Sequence, residues 1–108
     1  MPNSRLLLLA ALLPLSAQAQ EIGDATAGAR FAKEICAECH AVGTRQENSP
    51  DKDAPPFTHV ATTPGMNERA LAVWLQSPHP TMPNIILEKK DRDDIVAYIV
   101  SLKPVPPQ

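Results

Sequence analysis

Five consecutive residues, Cys36-Ala37-Glu38-Cys39-His40, carry the densest chemistry in the sequence. On one helical turn, positions 36, 39 and 40 stand at i, i+3 and i+4 and share a face. Two thiols at that spacing lie about 5–6 Å apart. Each is then placed to form a thioether with one of the two vinyl groups of a haem, and the next residue brings an imidazole under the iron. The competing chemistries are a lone disulfide, a zinc half-site and a thiol redox pair. A zinc site needs four ligands, and beyond the motif only His59 and His79 remain as imidazoles. A thioredoxin-like pair expects a βαβ pattern, and no run in this chain alternates with period two. Covalent attachment of one haem, with Cys36 and Cys39 as the thioether residues and His40 as an iron ligand, is the reading that uses all three side chains.

Haem iron with one protein ligand either takes a second or keeps an open position. The candidates are Met66, Met82, His59 and His79. Met82 lies in Pro78-His79-Pro80-Thr81-Met82-Pro83-Asn84. Each Pro lacks an N–H and restricts the residue before it, so this stretch is a stiff loop. Such a loop holds a thioether at a fixed height over a ring without competing helix formation. The interval from His40 leaves room for the chain to pass around the ring edge. Met82 is the expected sixth ligand, with His79 or an open site as the alternatives. Met66 precedes a helix and reads as packing or turn surface, and His59 and His79 read as exposed.

The elements that must position these residues are helices. Asp24 or Thr26 can cap a helix running to about Cys36 or Glu38. Gly28, Phe31, Ala32 and Ile35 form its apolar stripe at i, i+3, i+4 and i+7. Residues 41–65 are rich in Pro, Gly, Thr and Asx without periodicity, which predicts loop. A second helix is predicted over Asn67 to Gln76, capped by Asn67, with Leu71, Trp74 and Leu75 on its buried face. A third begins near Glu88 to Asp91 and ends near Leu102, where Pro104, Pro106 and Pro107 follow. Ile95, Tyr98, Ile99 and Leu102 repeat the helical stripe, and Asp91, Asp93 and Asp94 suit the positive N-terminal end. No strand is expected, so the fold class is all-α.

The chain has 108 residues and a formal charge of −2. It opens on Met-Pro-Asn-Ser-Arg, continues with an uncharged stretch from Leu6 to Leu15, and reaches Ala17-Gln18-Ala19. A basic start, a short apolar run and an A-x-A site describe a secretory signal peptide over residues 1–19. The apolar run is too short for a bilayer span, which takes about 20 residues. Cleavage after Ala19 leaves residues 20–108 as a single domain. Losing Arg5 from the 10 basic side chains leaves nine against 12 acidic ones, a mature charge of −3. That balance excludes nucleic acid as the main partner, since no basic patch is available to neutralise phosphates. Four aromatics (Phe31, Phe57, Trp74 and Tyr98) make a poor core for a domain of this size. Small exported domains compensate with disulfides, a metal or a cofactor, and a large apolar cofactor would itself become the core.

With these residues in view, the chain resembles a small class I c-type cytochrome, the monohaem, His/Met-ligated kind, over nearly all of its mature length. The resemblance implies a cytochrome c-like fold of three main helices and long loops wrapped around one covalent haem c. Gly28 and Phe31 match the family's N-terminal helix, which crosses the last helix at a small residue. Tyr98 matches the aromatic partner on that last helix. The family takes its axial Met from a loop just before the last helix, often followed by Pro, as Met82-Pro83 is here. Its Pro after the haem motif accepts the axial imidazole's N–H through a carbonyl. Ala54-Pro55-Pro56-Phe57 resembles that segment, with Pro55 in the position. Ala54 stands where many relatives have Gly, and the second Pro leaves Pro56 as an alternative. Trp74 resembles the family's aromatic near a haem propionate, with plain packing as the competing role.

The resemblance implies a soluble, non-enzymatic electron carrier that cycles Fe(III)/Fe(II) between redox partner proteins in the bacterial periplasm. It also implies no stable membrane insertion after the signal peptide is removed. The alternatives are a haem enzyme or gas-binding protein with an open sixth position, and a cytochrome subunit of a larger redox complex.

Overall fold

The computed structural model describes residues 23–107. The predicted signal peptide and its cleavage site lie outside the described residues. Helix α1 spans Ala25–Phe31, α2 Phe57–Thr62, α3 Glu68–Leu75 and α4 Lys89–Ser101. Among the described residues there is no strand, so the all-α fold class holds.

The first helix starts where its cap dictates. Asp24 is extended (φ −100°, ψ 108°), and one of its carboxylate oxygens accepts the N–H groups of Thr26 at 2.8 Å and Ala27 at 3.1 Å. These are donors that no carbonyl of the helix can reach. Beyond Phe31 the helix widens into a π turn over Ala32–Cys36, closed by Ala37 N–H on the Ala32 carbonyl at 2.9 Å. Such wide turns occur mostly as single insertions at functional sites. The predicted helix of about this length is present, but its last turn is wider than an α-helix.

The segment 41–65, expected to be loop throughout, contains α2. Six residues are too few for a hydrophobic period to register in sequence. Pro56 sets the entry, and the Phe57 N–H bonds the Ala41 carbonyl at 2.9 Å. That bond anchors α2 to the chain just after the haem motif and buries Phe57 and Ala61. Helix α3 begins as predicted, with Asn67 accepting the Ala70 N–H at 2.9 Å. At its other end Gln76 and Ser77 donate to the carbonyls of Ala72 and Val73, and Pro78 follows. The expected burial of Trp74 is corrected: Leu71 is buried and Leu75 half-buried, but Trp74 is 56% exposed. The reason is that this side of α3 faces a cavity rather than another helix.

Helices α1 and α4 cross in close contact. A Cβ built on Gly28 would lie 2.0 Å from the Asp94 carbonyl oxygen and 2.8 Å from the Tyr98 Cβ. Only a residue without a Cβ permits that approach, which is why a helix-weakening Gly is present. Tyr98 is buried and its hydroxyl donates to the Val42 carbonyl, tying α4 to the segment after the haem motif. Ile95, Val96 and Ile99 of α4 meet Ala32, Phe57 and Leu71 in the core.

Asp94 is a buried charge with two partners. Its carboxylate accepts the Asp24 N–H at 2.8 Å and pairs with the Lys90 ammonium at 2.5 Å. The Lys90 hydrogen bond first, and the Asp24 N–H second, hold its carboxyl below the ordinary aspartate value. Lys90 is exposed, so the ion pair itself contributes little; the buried bond to the Asp24 N–H fixes the start of α1. A depressed folded-state pKa gives stability that is complete above the unfolded value, about 3.9. That stability is lost as pH falls through the folded value. Thermal melts should therefore show a midpoint declining below about pH 4, and Asp94→Asn should flatten that acid limb. Asp94→Ala, which leaves the Asp24 N–H without its acceptor, should cost about 1–3 kcal/mol at neutral pH.

Candidate functional site

A cavity of about 680 Å³ opens between the haem motif, α3, α4 and the strap that joins those two helices. All six residues singled out in the sequence line it: Cys36, Cys39 and His40 from the motif, Pro55 from the loop before α2, Trp74 from α3 and Met82 from the strap.

The motif is not a continuation of regular helix. The π turn ends at Cys36, and the N–H groups of Cys39 and His40 both turn back onto the Cys36 carbonyl, at 3.2 and 2.9 Å. Those two bonds keep positions 36, 39 and 40 on one turn, the arrangement that the i, i+3, i+4 spacing calls for. The two cysteines are not joined to each other in a disulfide. Burial pushes the Cys36 thiol up to about 11. A thiol redox centre needs the opposite, a lowered value that supplies thiolate at neutral pH, so the redox-pair alternative loses its chemistry. Among the described residues no group of three or more His, Cys, Asp or Glu is arranged to hold a metal ion.

His40 Nδ1 lies 2.7 Å from the Pro55 carbonyl oxygen. A carbonyl only accepts, so Nδ1 carries the proton and Nε2 presents a lone pair. The ring also rests on Phe57 at a centroid distance of 5.4 Å and a tilt of 50°. Bond and ring contact together fix the imidazole's orientation. The choice left open between Pro55 and Pro56 falls to Pro55. Pro56 is buried and caps α2 instead.

The strap brings Met82 to the cavity half-buried. His79, expected to be exposed, is corrected to half-buried: its ring sits 4.1 Å from that of Trp74 at 60°, and it too lines the cavity. The pairing follows from Trp74 standing outside the core with an open face. His59 is exposed and lies away from this cavity, and Met66 is half-buried against the core.

Arg92 was not among the expected site residues. It lines the cavity from α4, and its Nε is buried without a hydrogen-bond partner, as is His79 Nε2. The available signal was its place at i−3 from Ile95 and i−7 from Ile99, on the helix's apolar stripe, where a charged residue is out of pattern. Ile35, Ile85 and Ile86 add apolar area to the lining, with Ile86 96% exposed. Apolar walls, two thiols on one turn, an imidazole with a free lone pair, a thioether in the lining and buried unpaired nitrogens fit a large apolar ring with iron at its centre and polar groups at its edge.

Helices with no strand among the described residues, closed over an apolar cavity with a C-x-x-C-H turn in its wall, define a small haem protein of the c type. The family model for Cytochrome c matches residues 25–103, and the chain belongs to that family. It is similar to cytochrome c-552 of Bradyrhizobium diazoefficiens (strain JCM 10833 / BCRC 13528 / IAM 13628 / NBRC 14792 / USDA 110). The two are 43% identical over 81 residues, 75% of this chain and 77% of that protein. No solved structure matches the chain. As a member of this family it carries covalently bound haem c and acts as a haem electron carrier.

Proposed function

We propose that this cytochrome is a monohaem carrier of single electrons between periplasmic redox proteins. In this reading Cys36 and Cys39 form the thioethers and His40 and Met82 are the axial ligands. The observation that carries it is the bond from His40 Nδ1 to the Pro55 carbonyl at 2.7 Å, which leaves Nε2 as the metal-binding nitrogen in a cavity that Met82 also lines.

The haem, when bound, supplies reversible Fe(III)/Fe(II) chemistry. The protein's residues do the rest. The Pro55 carbonyl holds the imidazole proton on Nδ1 and raises the basicity of Nε2. The Met82 thioether, a soft neutral ligand, favours the ferrous state and raises the potential relative to His alone. Leu71, Ile95 and Ile99 keep one side of the cavity dry. Trp74 and Ile86 leave apolar surface at its rim, where a partner would approach. With Met82 filling the sixth position there is no vacancy for a substrate, which supports a carrier over an enzyme.

The leader at residues 1–19 supports export to the periplasm. No helix among the described residues is long and apolar enough to cross a membrane. The acidic mature charge points to partners reached through small, transient, charge-guided interfaces rather than through a basic docking ring.

Optical spectroscopy tests the ligand set. The ferric protein should show the weak long-wavelength sulfur-to-iron band, and the ferrous protein should have little affinity for carbon monoxide. Met82→Ala should abolish the band, lower the potential and open the iron to exogenous ligands. Ready binding of carbon monoxide by the wild type, with a spectrum that Met82→Ala leaves unchanged, would move the open-site haem protein ahead of the carrier.

A further inference from the structure

The mouth of the haem cavity carries charge of one sign. Of the charged residues that line the cavity, Asp51 and Asp53 are exposed, whereas Arg92 is half-buried with its Nε out of solvent. No lysine among the described residues lines it. Lys52, between the two aspartates in sequence, lines a separate polar recess instead. The aspartates are held in place. The Asp51 N–H bonds the Cys39 carbonyl at 3.1 Å, and the Asp51 carboxylate accepts the Asp53 N–H at 2.9 Å. The acidic loop therefore runs beside a cysteine of the haem motif. Glu38, also exposed, precedes that cysteine in the chain.

Exposed apolar side chains line the same cavity. Ile35 is 44% and Ile86 96% exposed. One exposed isoleucine needs no explanation. Two of them beside fixed carboxylates combine apolar contact area with a charged rim, the anatomy of a protein interface. The sign of that rim selects what approaches. Carboxylates on a partner would meet like charge, which costs free energy, while ammonium and guanidinium groups would be drawn in.

We propose that this mouth, with Asp51 and Asp53 on its rim, is the docking face for a redox protein that presents lysine and arginine around its own centre. The inference rests on the reading of the chain as an electron carrier, and adds the place and the sign of the contact. A partner seated here lies next to Cys39, one of the residues that carry the haem in that reading. Encounters between redox proteins bury little area, below about 1,200 Å². Charge on the rim then governs how fast the partners meet, and salt weakens it.

The test follows oxidation of the ferrous holoprotein by two outer-sphere probes, the tricationic tris(phenanthroline)cobalt(III) and the trianionic ferricyanide. Rates are recorded as ionic strength rises from about 0.01 M to about 1 M. Each reaction moves one electron from the haem iron to the metal of the probe and makes no bond. Across that range the cobalt rate should fall about tenfold or more, and the ferricyanide rate should rise. The Asp51→Asn, Asp53→Asn double variant keeps an oxygen to accept the residue 53 N–H and loses only charge. Its low-salt cobalt rate should drop about fivefold, and its rate at high salt should match wild type. Glu68→Gln, Asp91→Asn removes as much charge from residues that do not line the cavity. It should change the low-salt rate by less than about twofold. If the two double variants slow the cobalt reaction equally, net charge and not this face does the steering, and the proposal is overturned. It is overturned too if ferricyanide is the probe that slows with salt. Repeating the rates under saturating carbon monoxide separates the two layers. Unchanged rates, with double variants that behave alike, sink the docking face only. Rates blocked by carbon monoxide reveal an open sixth position, and the carrier reading then fails and takes this inference with it.

Discussion

The Cys36→Ala, Cys39→Ala double variant should lose covalent haem completely and, with it, the folded state. Extraction with acidified organic solvent should leave the haem on the wild-type protein and remove whatever haem the variant retains. Circular dichroism should then show a largely unfolded chain. The expectation rests on what the core lacks. The largest fully buried side chains are Leu71 and Ile95, and three of the four aromatics, Phe31, Phe57 and Trp74, line the haem cavity. A domain this small buries only about 60–65% of its unfolded surface. The haem fills a cavity of about 680 Å³; without it the lining side chains lose the contacts that close packing otherwise supplies, and little core is left to replace them. A cooperative thermal transition in the haem-free protein would refute this account.

Gly28→Ala should be severely damaging although it lies outside the cavity. The added Cβ would sit 2.0 Å from the Asp94 carbonyl oxygen and 2.5 Å from its carbon. These are backbone atoms, so no rotamer relieves the clash and α4 itself must move. Moving it pulls the Asp94 carboxylate from the Asp24 N–H and the Tyr98 hydroxyl from the Val42 carbonyl. The cost should reach or exceed ~3 kcal/mol, the upper end of ordinary overpacking. For a domain of this size that lowers the melting midpoint by about 12 °C or more. Gly43→Ala is the control. Its Cβ would meet only Gln46 side-chain atoms at 3.4 Å, and its effect should stay within about 0.5 kcal/mol. A Gly28→Ala protein that melts with the Gly43→Ala protein would mean that the crossing tolerates more separation than its geometry implies.

Much of this molecule is written in short-range patterns. The cap at Asn67 and the stripes of α1 and α4 are legible because i, i+3 and i+4 neighbours on a helix meet wherever the helix goes. The same holds for the Cys36, Cys39 and His40 turn, which survives even though the helix has ended, because two N–H groups share the Cys36 carbonyl. Gly28 was legible for a related reason. A residue that weakens a helix must be compensated by something, and a second helix passing within contact is the simplest compensation.

What the sequence could not decide is set by the path of the chain between those patterns. Pro55 rather than Pro56 meets His40 because the Phe57 N–H reaches back to the Ala41 carbonyl, a register across 15 residues that no local preference encodes. The same bond creates α2, too short to announce itself by period. Trp74 lies on α3's apolar side, yet the tertiary arrangement opens a cavity there in place of a helix. That exposes the ring, seats His79 on it and brings Arg92 to the same cavity. Sequence thus fixed the ligand types and their spacing, through interactions that act within one turn. Tertiary structure alone decided which carbonyl, ring and nitrogen surround them, because those contacts join segments whose separation only the folded chain defines.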